Sequence, residues 1–148
     1  MNRKVLILSI KPQYVEQIFN GNKTIELRKS MPSANVGDTV IIYSTVPVKA
    51  IVGICRIDDI IIETPENIWL KYSKKLGISD KDFWEYYRDS NKSVSIFISI
   101  ICKFELGIPL SDIKKIHPSF QPPQCFKYIS KLTALKSYKQ LDPKYFFA

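Results

Sequence analysis

The chain contains few of the residues on which the commonest metal and cofactor sites depend. It has five glycines among 148 residues, and none of them forms a glycine-rich phosphate loop or a dinucleotide-binding motif. It has one histidine, His117, and three cysteines without a C-x-x-C pair, which disfavours a four-ligand zinc site. The isolated histidine also disfavours a Ser-His-Asp triad. We therefore expect neither a metal nor a cofactor.

Long apolar stretches are also missing. No run reaches the roughly 18 to 20 apolar residues of a membrane span. The N-terminal run that begins at Val5 meets Lys11-Pro12 before it reaches the length of a signal-peptide core. The three widely spaced cysteines are typical of reduced core residues. We expect a cytoplasmic protein without a membrane segment, folded as a single domain over residues 1–148.

Acidic residues are scarce at both ends of the chain, which has a formal net charge of +8. Residues 1–30 carry six Lys/Arg against two acids, residues 31–112 nine against eleven, and residues 113–148 seven against one. Aromatic residues interleave with the C-terminal lysines: Phe120, Phe126, Tyr128, Tyr138, Tyr145, Phe146 and Phe147. This mixture favours single-stranded nucleic acid, because lysines meet phosphates and bases stack on rings. Packing of these aromatics in the core is the alternative.

Hydrophobic periodicity and turn residues predict a mixed order of strands and helices. The predicted strands cover residues 5–10, 24–28, 39–44, 50–62 and 93–106, with Gly53 at a bulge. The predicted helices cover residues 12–20, 65–75, 80–88, 111–115 and 125–132.

The strand predicted over 24–28 follows Gly21 and carries the strongest functional signal. Alternation places Ile25 and Leu27 on one face, and Thr24, Glu26 and Arg28 on the other. One face is then aliphatic, while the other presents a hydroxyl, an acid and a base. Lys23 stands at the entry to the strand. The alternative is an ordinary solvated face of an antiparallel strand.

Several motifs recur in one known family. They are Ser9-Ile10-Lys11-Pro12, Gly21-x-Lys23-x-x-Glu26-x-Arg28, Gly37-Asp38 and Tyr43-Ser44-x-x-Pro47, with similar runs at 50–54 and 122–126. In these motifs the sequence resembles the ASCH domain of the PUA-like superfamily over nearly all of its length. The resemblance implies an α+β fold, a small mixed PUA-like β-barrel with helices flanking the barrel and its cleft.

The resemblance also implies a site and a range of activities. Lys23, Glu26 and Arg28 are expected to line the cleft, and the expected neighbours are Lys11, Tyr43, Ser44 and Gln124. Family members bind RNA or modified nucleotides, and many are described as transcription regulators. A few hydrolyse an N4-acyl group from cytidine, and ribonuclease activity is attributed to others. The shorter amidohydrolase-like members carry threonine at the position of Glu26, so this chain departs from their pattern.

The residue types suit binding of RNA or a nucleotide-like small molecule, which is our first prediction. Glu26 can accept a hydrogen bond from an exocyclic amine, and Arg28 can clamp a phosphate or a base edge. Tyr43 or Phe126 can stack a base, while Lys11 and Lys23 can hold phosphates. Such a protein can regulate transcription or translation, with protein partners that the sequence leaves unknown. The alternative for Glu26 and Arg28 is an ion pair that serves the fold alone.

Catalysis is the competing prediction, as hydrolysis of an N4-acylcytidine-like nucleoside or of RNA without a metal. Arg28 lowers the pKa of a neighbouring lysine, which would make Lys23 a base or a nucleophile. Glu26 could orient water or move a proton, yet its charge raises the pKa of Lys23, and the two effects conflict. A third alternative is a regulatory module that binds a protein partner through the acidic helical segment 58–88.

Overall fold

The computed structural model of the chain describes residues 5–123 and, as backbone alone, residues 126–129. Six strands form one sheet: β1 (Val5–Ile10), β2 (Ile25–Arg28), β3 (Thr39–Ser44), β4 (Ala50–Glu63), β5 (Ser93–Pro109) and β6 (Phe126–Ile129). The helices are α1 (Pro12–Phe19), α2 (Pro65–Tyr72), α3 (Asp80–Tyr86) and α4 (Leu110–Ile116), with a 3-10 turn at Ser73–Lys75. Within these ranges, no helix has both the length and the apolar character that crossing a membrane requires.

The sheet has the strand order β2-β5-β4-β3-β1-β6 and curls on itself. Among the described strands, only β1 and β3 run parallel. Across the curl, the Arg28 guanidinium on β2 donates to the Ser9 carbonyl oxygen on β1 at 3.3 Å. A flat sheet would hold these two strands roughly 19 Å apart, four strand spacings. Since β2 and β6 remain as edges, the described strands form a half-barrel of the predicted α+β class and not a closed barrel.

Irregular pairing between β4 and β5 accounts for part of the curvature. The register shifts at three places along this pair, and one shift falls between Ile51 and Gly53. Bulges of this kind bend a strand and increase its twist. The bulge predicted at Gly53 is therefore confirmed.

Three apolar clusters hold the helices on the sheet. The first lies on the face of the sheet that α1 covers and includes Leu6, Leu8, Val15 and Ile18. The second lies on the opposite face of β1, where Ile113 of α4 packs with residues of β3 and β5. The third joins β2 to α2 and α3, with Phe83 fully buried at its centre. Strand β2 thus has one face in the third cluster, which leaves its other face for polar side chains.

Most predicted elements are present, with small differences at their ends. The strands at 5–10 and 39–44 match their predicted bounds, whereas the last long strand continues to Pro109. The helix predicted over 65–75 is α-helical as far as Tyr72 and continues as a 3-10 turn. Thr64 and Ser79 cap α2 and α3 through their side chains, as their positions predict.

The helix predicted over 125–132 is wrong where the structure describes it. Residues 126–129 form β6, which pairs antiparallel with β1 from Val5↔Ile129 to Leu8↔Phe126. β1 pairs with β3 along its other edge, so a strand here satisfies hydrogen-bonding groups that would otherwise stay open. This tertiary pairing overrides the local pattern, because strand propensity depends strongly on context.

The first testable consequence concerns two glycines with left-handed backbone angles. Gly77 has φ +58°, and a Cβ built on it would lie 2.5 Å from the Cβ of Lys23. Gly21 has φ +89°, and nothing lies within 4 Å of the position that a Cβ would take there. We expect Gly21→Ala to lower the free energy of unfolding by about 1–2 kcal/mol through backbone strain alone. Gly77→Ala adds a steric clash and should cost about 2–5 kcal/mol in total.

Urea denaturation followed by circular dichroism measures both losses. Gly21→Ala serves as the matched control, since it makes the same chemical change in open space. Equal losses in the two variants would contradict the close packing of Gly77 on Lys23.

Candidate functional site

A cleft of about 630 Å³ opens between α1, β2 and α3. This volume lies within the range of sites that hold small molecules or single nucleotides. The lining residues are Ser9, Ile10, Lys11, Gln13, Tyr14, Lys23, Glu26, Leu27, Arg28, Thr45, Ile78, Asp82, Glu85 and Tyr86.

Three charged side chains form the floor of the cleft. Glu26 contacts a cation through each carboxylate oxygen, with Oε2 2.6 Å from an Arg28 nitrogen and Oε1 3.7 Å from Lys23 Nζ. The exposed fractions of the three side chains are 4% for Lys23, 8% for Glu26 and 13% for Arg28. The pairing predicted as the structural alternative is therefore made, and the same residues face the cleft. We call these three residues the ion chain.

Alternation along β2 places the ion chain, as the sequence predicts. Ile25 and Leu27 pack in the third cluster, while Glu26 and Arg28 line the cleft, which Leu27 also borders. Thr24 lies directly before the strand, is exposed, and is not among the lining residues of the cleft. Its carbonyl oxygen accepts from the Ile98 N–H of β5 at 3.0 Å, so the backbone of Thr24 continues the pairing of β2.

Lys23 connects three parts of the structure. Its backbone N–H donates to the Gln17 carbonyl oxygen of α1 at 2.9 Å. Its ammonium donates to the carbonyl oxygen of Leu76, also at 2.9 Å, in the segment that leads into α3. The ammonium also lies 5.6 Å from the centre of the Tyr14 ring. Lys23 thus fixes the position of α3 relative to β2 and α1.

Burial lowers the pKa of Lys23 from its ordinary value of 10.5, because desolvation disfavours the charged amine. The negative charge of Glu26 raises this pKa and the positive charge of Arg28 lowers it. The conflict between Glu26 and Arg28 that the sequence leaves open is therefore decided by a third effect. Desolvation is the largest of the three, and the net direction is downward.

Two consecutive tyrosines hold β2 in place: Tyr86 is the last residue of α3, and Tyr87 follows it directly. The Tyr87 hydroxyl donates to the Arg28 carbonyl oxygen at 3.1 Å, and the Tyr86 hydroxyl donates to the Leu27 carbonyl oxygen at 3.4 Å. Ser93 in turn donates to the Tyr87 oxygen at 2.9 Å. Burial raises the pKa of Tyr87, so its hydroxyl stays protonated as a donor. The backbone of Arg28 is therefore fixed from behind.

The other predicted site residues are dispersed. Lys11 is exposed at the edge of the cleft, where it precedes α1. Tyr43 is buried in the second cluster and Ser44 is buried beside it, and neither lines the cleft. Gln124 lies outside the described residues, and Phe126 is described only as backbone of β6.

The sequence interpretation misses one wall of the cleft. The acids Asp82 and Glu85 of α3 line it beside Tyr86, although the segment 58–88 is predicted as a partner-binding surface and neither acid is predicted at the cleft. Their spacing of i, i+3 and i+4 places them on one helix face, while Phe83 and Tyr87 point into the third cluster. This spacing is a signal that could have identified the wall. The local sequence gives no signal that this face of α3 lies opposite β2 and α1.

Metal ligands are not grouped in the part of the chain that the structure describes. It contains no cluster of three or more His, Cys, Asp or Glu side chains placed to hold an ion.

Comparison with known proteins agrees with the motif resemblance. The family model of the ASCH domain matches residues 8–106, most of the chain. A curated protein of Zymomonas mobilis subsp. mobilis, named ASCH domain-containing ribonuclease, is 26% identical over 130 residues. The matched region covers 88% of this chain and 87% of that protein.

Solved structures give the same result for the fold. The crystal structure of ASCH from Zymomonas mobilis has a TM-score of 0.86 at 25% identity and covers 95% of this chain and 96% of that chain. Human THYN1, solved in complex with 5-methylcytosine containing DNA, has a TM-score of 0.60 at 11% identity. It covers 95% of this chain and 99% of its own. At that identity the likeness concerns the fold alone.

The lowered pKa of Lys23 predicts a pH dependence of stability. Between the folded-state pKa and 10.5, the unfolded chain binds more protons at this site than the folded chain, so the contribution of Lys23 to stability rises with pH. We expect the stability of the wild type relative to Lys23→Met to increase as the pH is raised from 7 towards 10.5. Urea midpoints of both proteins at several pH values test this, and parallel curves would contradict it.

The hydroxyl of Tyr87 gives a second prediction. Tyr87→Phe removes the donor to the Arg28 carbonyl oxygen and the acceptor of the Ser93 hydroxyl. We expect a loss of about 1–3 kcal/mol in the free energy of unfolding, because these polar groups are buried. Tyr72→Phe is the matched control from the same cluster, where the ring packs edge-on against Phe97. A loss in Tyr87→Phe no larger than in this control would show that the hydroxyl does not hold β2.

Proposed function

The chain belongs to the ASCH domain family, and we propose that its cleft binds a nucleotide unit of single-stranded RNA. The observation that carries this proposal is the buried ion chain, which opens onto a cleft of nucleotide size. Two cations against one carboxylate leave the floor with an excess of positive charge. Such a floor suits a phosphate, since a charge in a partly desolvated site is stabilised by an opposite charge.

Each wall of the cleft has a role in this proposal. Arg28 meets the phosphate, because a guanidinium presents several N–H groups in one plane. Lys11 at the edge attracts the neighbouring phosphate as an exposed point charge. The rings of Tyr14 and Tyr86 line the cleft and are the candidates to stack a base, in place of the buried Tyr43. Glu26 holds the two cations and can still accept a base amine, because each carboxylate oxygen accepts more than one hydrogen bond.

A second candidate function is cleavage of RNA. Two observations favour it: the pKa of Lys23 is lowered inside the cleft, and the Zymomonas relative is named a ribonuclease. In its neutral form Lys23 can take the proton of a ribose 2′-hydroxyl. The 2′-oxygen then forms a bond to the adjacent phosphorus while the bond from phosphorus to the 5′-oxygen breaks. The leaving 5′-oxygen takes a proton from water, which gives a 2′,3′-cyclic phosphate and a 5′-hydroxyl.

We also propose a cytoplasmic location and a role in regulating transcription or translation. Cys55 is a buried free thiol, as is usual in a reducing compartment. Burial raises the pKa of Cys55 to about 12, which makes its thiol a packing group and not a nucleophile. The proposed regulatory role depends on RNA binding, so a failure to bind RNA would refute both proposals.

One experiment separates the binding and cleavage proposals. The purified protein is incubated with a short single-stranded RNA and with N4-acetylcytidine, and both retention and products are measured, the latter by mass spectrometry. The variants are Lys23→Arg and Arg28→Lys. Arg56→Lys is the control, because Arg56 is exposed on β4 and pairs with Asp58 away from the cleft.

We expect RNA to be retained by the wild type and by Arg56→Lys. Arg28→Lys should bind about tenfold more weakly, since lysine cannot reproduce the planar contacts of arginine. Lys23→Arg should keep binding if Lys23 only supplies charge, and should abolish cleavage if Lys23 acts as a base, because arginine stays protonated. Lys23→Met is tested beside it in case the larger side chain does not fit. Failure of the wild type to retain RNA would refute the binding proposal.

A further inference from the structure

We propose that the cleft selects a nucleotide unit with one negative charge, an internal phosphodiester, and disfavours a terminal phosphate group. Asp82 and Glu85 are the residues that we infer to impose this selectivity. The inference rests on the proposed function, because it names the ligand class of the same cleft. It is carried by the distribution of charge between the floor and the edge of the cleft.

The floor of the cleft has a net charge of +1 when Lys23 is protonated. Its charges are those of the ion chain, and all three side chains are at least 87% buried. Electrostatic interactions are strong in such a place, so one additional anion is well stabilised there. A phosphodiester of RNA carries one negative charge and meets this requirement.

The edge of the cleft has the opposite balance. Its charged residues are Lys11, Asp82 and Glu85, all exposed, with a net charge of −1. Taken together, the lining residues of the cleft have no net charge. A cleft built for nucleoside triphosphates would be expected to carry a clear positive excess.

The carboxylates of Asp82 and Glu85 are not fully engaged in contacts within α3. The backbone N–H of Asp82 is capped by the Ser79 hydroxyl at 3.1 Å, so the Asp82 carboxylate is not the cap of the helix. Glu85 lies 3.0 Å from Arg88, and both side chains are more than 60% exposed. Arg88 therefore cancels part of the negative charge of Glu85, while water and salt screen this exposed pair, so Asp82 and the remaining field of Glu85 act together on the cleft. Arg88 is also not a lining residue.

A terminal phosphate adds charge that the floor cannot compensate. Lys11 can compensate the single charge of a neighbouring phosphodiester, whereas the second charge of a terminal phosphate meets the carboxylates of Asp82 and Glu85 at the edge. Repulsion between exposed charges acts over about 10 Å at 0.1 M salt and weakens as salt is added. We expect an effect of roughly three- to tenfold in affinity from the two acids together.

The test uses two dinucleotide probes that cannot be cleaved by 2′-hydroxyl attack. One is 2′-O-methyl cytidylyl-cytidine, and the other is the same molecule with a 5′-terminal phosphate. Calorimetry gives the dissociation constants at 50 mM and 300 mM salt for three proteins. They are the wild type, Asp82→Asn/Glu85→Gln, and the control Asp59→Asn/Glu105→Gln, which makes the same changes at exposed residues outside the cleft lining.

We expect the 5′-phosphate to weaken binding to the wild type and the control about three- to tenfold at 50 mM salt. The penalty should disappear in Asp82→Asn/Glu85→Gln and shrink in all proteins at 300 mM salt. Tighter binding of the phosphorylated probe to the wild type would overturn this inference and leave the proposed function standing. So would the same penalty in both double variants. If neither probe binds the wild type, the proposed function and this inference both fail.

Discussion

The contact on which the rest of the site depends is the pair between Arg28 and Glu26, at 2.6 Å. Arg28 also donates to the carbonyl oxygen of Ser9, so one guanidinium joins the two sides of the curled sheet. Burying a guanidinium without a counter-charge costs several kcal/mol. Glu26 removes most of that cost, and Lys23 occupies its other oxygen. The seam of the half-barrel, where β2 approaches β1, is therefore polar, and this is why a charged cleft lies there.

A polar seam requires a rigid edge strand, and β2 has only four residues. Pairing with β5 satisfies one side of it, while α3 supplies hydroxyl donors to two of its carbonyl oxygens. α3 is in turn held by the contact of Lys23 with Leu76 and by the close approach of Gly77 to Lys23. The residues that shape the cleft are thus the residues that hold the strand. Substitutions in the ion chain should change both properties together.

The part of this arrangement that follows from local sequence could be predicted. Alternation over 25–28 gives the buried and polar faces of β2, and the caps at Thr64 and Ser79 give the starts of two helices. What could not be predicted depends on contacts between distant segments. The wall formed by Asp82, Glu85 and Tyr86 requires knowing that α3 packs beside β2.

Strand neighbours explain the remaining errors. Residues 126–129 become a strand because the free edge of β1 is available to them. Tyr43 belongs to a motif of the family, yet its ring lies in the second cluster with Ile7 and Ile41. Motif membership therefore identified the family correctly without identifying which side chains face the cleft. Only the geometry of the sheet separates a motif residue that packs from one that lines the site.

Phosphate binding and RNA cleavage require different protonation states of Lys23 in the ion chain. A phosphate in the cleft favours the charged form of Lys23 and raises its pKa, whereas action as a base requires the neutral form. A neutral lysine still donates to Leu76, so loss of the proton need not release α3, but it removes one positive charge from the floor. Tight phosphate binding and base catalysis by Lys23 therefore draw on opposite protonation states. Because Arg28 keeps its charge under all these conditions, recognition can persist where catalysis by Lys23 is weak, and binding is the function that this floor supports first.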